Sequence, residues 1–277
     1  MNKKRSFATY PYVIWSGLFI VVPLLIVLFF SFTITTSNGY EFTFENFTRL
    51  IKPQYGLIFG RSISLAFFST LACLIIGYPV AYIISKMPAH KRNLLIMLFI
   101  VPMWMNFLLR TYAWLPILGK NGIVNNILSY LGFNTVSFLY NDGTILLGMV
   151  YNFLPFMVLP IYTVLSKMDK SLIQAAEDLG ANKSQVFRKI IIPLSLPGIM
   201  SGITMVFMPA VSTFVISSLL GGGKYMLLGN LIEQEFTTIG DWNFGSAISI
   251  IMMIVILISM AIMNKFDGDK EGGNGVW

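Results

Sequence analysis

Tyr12 to Phe32 is a run of twenty-one residues without a charged side chain. As a helix it extends about 31 Å, enough to cross the hydrocarbon core of a bilayer. A cleaved signal peptide would have a shorter apolar core and a small-residue cleavage site, and this run is too long for that. We read it as the first transmembrane helix. Five further apolar stretches follow, near Ser62–Ser85, Leu94–Trp114, Thr144–Ser166, Pro197–Leu219 and Phe244–Met263. The fourth is expected to be interrupted by Pro155 and Pro160. Only 11% of the 277 residues are charged, against about 25% in a soluble protein. The sequence therefore predicts an all-α integral membrane protein of six spans, with residues 1–264 as a single transmembrane domain. Residues 265–277 form a polar, Gly-rich tail that is expected to be disordered.

The connections carry the polar residues. Thr33–Gly60 is long, contains Glu41, Glu45, Arg49 and Lys52, and is expected to hold short structure of its own. Gly119–Gly143 is a second polar connection, and Gly221–Gly223 reads as a flexible break. Lys and Arg are distributed unevenly. Thirteen fall in segments on the N-terminal side of the first span, six on the other. The bias predicts that both termini and the segment after the fourth span face the cytoplasm. The net charge of +7 is spread without a block of five basic residues, which argues against a nucleic-acid surface. Cys73 is alone and excludes an internal disulfide, and His90, beside Lys91 and Arg92, has no companion ligands for a metal.

The segment Asp169–Ile199 is the longest charged stretch in the second half, and its pattern is helix, glycine, helix. Ser171 is a candidate N-cap, with Gln174 completing a capping box. Leu172, Ala175, Ala176 and Leu179 share one face. Gly180 suits the left-handed C′ position that stops a helix. Asn182 and Gln185 repeat the capping pattern for a second helix, which Pro193 and Pro197 are expected to end. Two short amphipathic helices at a membrane surface can be an interfacial anchor or a docking element for a soluble partner. The order of residues separates these. Ala175-Ala176, Gly180, nine residues, then Ile190-Ile191-Ile192-Pro193 resembles the E-A-A-x-x-x-G-x(9)-I-x-L-P loop of ABC importer permeases. Gln174 stands where the pattern has Glu, with Glu177 one turn away, and Ile192 stands where it has Leu.

No Asp or Glu lies within the six spans as drawn, which argues against an ion-coupled carrier. No nucleophile with a base, and no metal cluster, is visible for an intramembrane enzyme. Gly221-Gly222-Gly223-Lys224-Tyr225 lacks the spacing and the Ser/Thr of a phosphate loop. A transporter built from this chain must draw energy from a partner. Three readings compete: a transport subunit, a membrane scaffold that docks a cytoplasmic partner, and an intramembrane enzyme.

Ala72–Pro79, Val101–Asn106 with Arg110, and Gly240–Gly245 resemble the spermidine/putrescine branch of the ABC importer permeases. With the loop, the resemblance covers most of residues 12–264 and implies a type I importer permease fold in a bacterial cytoplasmic membrane. It implies a second related permease subunit, an ATPase dimer that holds ATP and Mg, and an external polyamine-binding protein. No cofactor is implied for this chain. The coupling residues would be Gln174, Ala175, Ala176, Glu177, Gly180, Ile190 and Pro193. Polyamines are polycations, so carboxylates at the outer mouth and aromatic faces deeper in are expected. Glu233, Glu235 and Asp241, with Trp242, are the outer candidates. Trp104, Tyr112, Trp114 and Tyr151 are the aromatic ones, with Asn106 and Asn152 as polar contacts. Trp and Tyr also gather at membrane interfaces whatever the substrate. Arg110 is repulsive to a polycation, and can snorkel to the outer interface or help hold a closed gate. Other small solutes remain an alternative.

Overall fold

A computed structural model describes residues 10–37 and 39–267, with side-chain environments through residue 263. Helix α1 (Tyr10–Ser31) is the first span. A hairpin of β1 (Thr33–Thr36) and β2 (Gly39–Phe42) follows, pairing Thr33 with Phe42 and Thr36 with Gly39. The short α2 (Glu45–Arg49) leads to α3, a 33-residue helix from Pro53 to Ser85. It starts nine residues before the expected second span, because Lys52 is extended and Pro53 is preorganised for a first helical turn. The hairpin is the short structure expected in this connection, and it is the strand element of an otherwise helical chain.

The third span differs from the sequence expectation. Helix α4 (Ala89–Met103) stops at Trp104, and the chain turns by 95° into α5 (Phe107–Tyr112), α6 (Trp114–Leu118) and α7 (Ile123–Tyr130). Pro102 cannot continue the bonding ladder, and the Asn106 side chain starts a new helix by accepting the N–H groups of Leu108 and Leu109 at 2.8 and 3.3 Å. Among the described residues five helices are long and apolar enough to span, and six if the bent pair counts as one.

Helix α8 (Asp142–Lys167) lies at the centre, buried along its length from Thr144 to Leu165. Pro155 and Pro160 do not interrupt it. In a packed bundle neighbouring helices accommodate the freed carbonyls. Gly198 lets its own helix approach α8 closely at this level: it sits against the Pro160 carbonyl, so close that a Cβ would lie 2.9 Å from it. The next helix, α9 (Lys170–Asp178), is followed by α10 (Lys183–Ser212), which is long and apolar enough to cross the membrane. Pro193 and Pro197 do not end the second loop helix; that helix is the start of the fifth span. The reason is a π turn at Phe187–Ile191, in which the Ile192 N–H reaches back to Phe187. A wider turn moves carbonyls away from the proline ring that follows. The same device precedes Pro23, at Gly17–Val21 in α1.

Past Thr213 and Phe214 the fifth span ends, earlier than expected, in a separate short helix α11 (Val215–Leu220). Helix α12 (Leu228–Gln234) with a π turn at Glu235–Ile239 leads to α13 (Trp242–Asp267). Residues 265–267 are thus helical and not part of the tail; residues 268–277, like the basic N-terminal Lys3, Lys4 and Arg5, lie outside the described residues. Helices α3, α8 and α10 form the core, and α1 packs on α13 at one flank. One end of that flank is closed by two amides. Asn46 Nδ2 donates to the carbonyls of Ser31 and Thr33, and Asn243 Nδ2 donates to those of Phe30 and Thr33. They satisfy carbonyls that the end of α1 leaves open.

Candidate functional site

The helix-Gly-helix loop is built as two well-capped pieces. Helix α9 is capped by Asp169, whose carboxylate accepts the Ser171 N–H at 2.9 Å. Ser171 is therefore not the N-cap, and Gln174 is a mid-helix residue and not part of a capping box. The shift follows from Asp169 lying next to the extended Met168. Gly180 has φ +84°, with its N–H bonded to the Glu177 carbonyl and the Ala181 N–H to the Ala176 carbonyl. This is the reciprocal pair of a Schellman stop. Asn182 and Gln185 form the expected capping box, with both bonds at 2.9 Å.

The apolar residues of α9 divide between two faces. Ile173 and Ala176 pack toward the body, whereas Leu172 is half-exposed and Leu179 is 89% exposed. Leu172, Ala175, Ala176 and Leu179 thus do not form one inward stripe. Gln174, Ala175, Glu177 and Gly180 are exposed, and Ile190 and Pro193 are half-buried in α10 beside the π turn. Residues that sequence reasoning did not single out tie the loop to the membrane core. The Phe187 ring meets Tyr82 at 5.3 Å and Tyr78 at 6.0 Å, both edge-on, and the Tyr78 hydroxyl lies 3.0 Å from Ser195 Oγ. The signal available was the i, i+4 spacing of Tyr78 and Tyr82 at the end of a span. These rings and the hydroxyl pair join the start of α10 to the end of α3.

At the opposite end of the bundle the three acids have different environments. Asp241 is engaged twice, in an ion pair with Arg49 at 2.8 Å and as the acceptor for the Phe244 N–H at the start of α13. The Arg49 guanidinium lies 3.9 Å over the Phe244 ring. Glu235 is only 4% exposed, and its Oε2 has no hydrogen-bond partner. Of the three acids, Glu233 is the exposed one; its Oε1 accepts the Thr237 hydroxyl at 3.2 Å, and it lines a cavity of ≈300 Å³ with Tyr225, Asn230 and Ser218. Trp242 is half-exposed and meets the rings of Phe236 and Phe30.

Burial pushes the Glu235 carboxyl above its ordinary value, and Asp241 adds to the shift while Arg49 opposes it. A carboxyl with a raised folded-state pKa holds its proton more tightly when folded. Stability should therefore be greatest below the ordinary carboxylate value and fall as pH rises through the folded pKa. Glu235→Gln should remove that slope. Thermal midpoints of purified protein between pH 4 and pH 8 check it: wild type should lose stability as pH rises, and the variant should stay flatter. Equal slopes would mean that Glu235 is not the group responsible.

The remaining candidates surround the bent third segment. Trp104 is 81% exposed at the bend, and Tyr112 is half-exposed. Asn106 is occupied as the cap of α5. Trp114 and Tyr151 meet edge-to-face at 5.3 Å. Asn152 is fully buried, donating to Gly148 at 2.9 Å and to Thr111 at 3.3 Å. Arg110 is buried beside them, its guanidinium 6.0 Å from the Phe107 ring and its Nε without a partner. The structure thus joins Thr111 to Asn152 and Trp114 to Tyr151. Among the described residues no group of three potential ligands could hold a metal.

Residues 2–269 match the family model described as binding-protein-dependent transport system inner membrane component. The chain is 40% identical over 253 residues to the spermidine/putrescine transport system permease protein PotB of Escherichia coli, covering 90% of this chain and 92% of that one. It is 41% identical to the protein of the same description from Haemophilus influenzae, covering 92% and 91%. A solved bacterial alginate ABC transporter, in complex with an alginate pentasaccharide-bound periplasmic protein, contains a chain that superposes with a TM-score of 0.81 at 18% identity, covering 99% of this chain and 98% of that chain. At that identity the superposition speaks to the fold.

Proposed function

Because this chain belongs to the family of inner membrane components of binding-protein-dependent transport systems, we propose that it is the permease subunit of an ATP-driven importer of spermidine and putrescine. The observation that carries the substrate class is 40% identity, over nine-tenths of both chains, to a spermidine/putrescine permease. The energy source would be a separate ATPase dimer that binds ATP and Mg, engaged through α9 and the first turns of α10. A second, related permease would complete the pore, and an external binding protein would deliver the polyamine. In this reading the single permease domain of residues 1–264 has both termini and the coupling loop in the cytoplasm, as the thirteen-to-six distribution of basic residues indicates. Reporter fusions at the Gln174 loop should read cytoplasmic, and an external reading would overturn the orientation.

Polyamine would approach the exposed Glu233 by long-range attraction and pass aromatic faces at Trp104, Tyr112 and Tyr151. Asp241, held by Arg49, would shape the outer end and contribute less to attraction. The test is uptake of radiolabelled spermidine and putrescine in cells stripped of other polyamine importers. Trp104→Ala should slow uptake several-fold, since an aromatic–cation contact contributes about 0.5–2 kcal/mol. Glu233→Gln should slow it mainly at low ionic strength. A wild-type complex that moves another solute and no polyamine would overturn the substrate class and leave the importer reading standing.

A further inference from the structure

We propose that the cytoplasmic cavity beneath α9 is a binding site for a phosphate-bearing anion that regulates coupling. The cavity is ≈430 Å³ and lies between the ends of α3 and α8, the start of α4 and the inner side of α9. Lys86, Arg92 and Lys170 converge on it, Gln174 adds an amide, and no carboxylate is among its lining residues. Part of this charge has a local role: the Lys86 ammonium lies 4.2 Å over the Tyr82 ring. Arg92 does not. Its Nε is withdrawn from solvent and has no hydrogen-bond partner. A guanidinium N–H taken out of water without an acceptor is destabilising, and three cations around one cavity repel each other. An anion with several acceptor oxygens removes both costs. Phosphate suits the set, because a guanidinium fork and two ammonium groups match its oxygens.

The location gives the site its consequence. One wall is Ile173 and Gln174 of α9, and the opposite wall is the end of α3. An anion bound there bridges the loop to the core and fixes the angle at which α9 is presented. This consequence rests on the proposed coupling role of α9; the binding itself does not. The same chemistry can come from an anionic lipid headgroup at the inner leaflet or from a free phosphate compound.

The experiment uses the full chain in nanodiscs. One arm titrates inorganic phosphate against chloride at fixed ionic strength, in phosphatidylcholine alone. The other replaces part of that lipid with phosphatidylglycerol and counts retained anionic lipid by native mass spectrometry. Saturable binding is expected in at least one arm, and which arm responds identifies the source. The double variant R92Q/K170Q should weaken it about tenfold. Lys183→Gln, which removes a charge outside the cavity, should leave it unchanged. Absence of saturable binding in both arms, equal binding by the double variant, or an equal loss in Lys183→Gln would each overturn the site. ATP hydrolysis by the assembled complex, measured separately, reports whether the site regulates coupling. A site that binds while hydrolysis is indifferent to the anion would overturn the regulatory half.

Discussion

Gly180→Val should abolish ATP-driven uptake while the protein still inserts and accumulates. Gly180 sits at φ +84°, and a Cβ built there meets nothing within 4 Å. The penalty is therefore conformational, about 1–2 kcal/mol for a non-glycine residue in the left-handed region and more for a β-branched one. The chain can escape that strain by abandoning the Schellman stop, which changes the angle between α9 and α10. In the proposed coupling role, docking of a rigid partner would need that angle, so a modest cost in stability would become a large loss in function. Gly180→Asn should retain much of the activity, because Asn tolerates this region better. Uptake and membrane abundance measured together for both variants decide the matter. Normal uptake with Gly180→Val would remove the loop from the coupling role.

Gly198→Leu should have the opposite phenotype, loss of the folded chain itself. A Cβ at Gly198 would lie 2.9 Å from the Pro160 carbonyl oxygen, 2.9 Å from Val164 and 3.1 Å from the Ile161 Cα. Two of these three atoms are backbone, so no side-chain rotation relieves the clash. Helices α8 and α10 would have to separate at the centre of the core. Overpacking of this kind costs about 1–3 kcal/mol for a small excess and more for a whole isobutyl group. Gly60 in α3 is the control, since a Cβ there meets nothing within 4 Å. Size-exclusion profiles in detergent should show Gly198→Leu aggregated and Gly60→Leu monodisperse. A monodisperse Gly198→Leu would show that the two helices are not fixed by that contact.

What was legible in the sequence was set by local chemistry. The apolar runs announced the spans, and Gly180, Asn182 and Gln185 announced the loop, because a left-handed stop and a capping box involve residues within a few positions of each other. The failures involve longer reach. Local rules make Pro155 and Pro160 interruptions and Pro193 and Pro197 terminators, yet each lies in a continuing helix. The rule holds in water, where an ended helix can solvate its carbonyls; within a bilayer, packing and π turns are cheaper than ending. The bend at Trp104 went the other way, since an Asn side chain cap is invisible to hydropathy. The fate of Asp241 depended on Arg49, 192 positions away in sequence, and no pattern within a single chain announces such a pair.

The two amides at the end of α1 also set an order of events during synthesis. Asn46 emerges shortly after α1, whereas Asn243 is separated from its acceptors there by about 210 residues. During most of translation the terminal carbonyls of the first span therefore have local partners alone: the Ser31 hydroxyl, the hairpin and Asn46. The clasp with α13 becomes available when the last span is nearly complete. The hairpin region is thus expected to cap this end of the nascent chain first, with the flank of the bundle closing last.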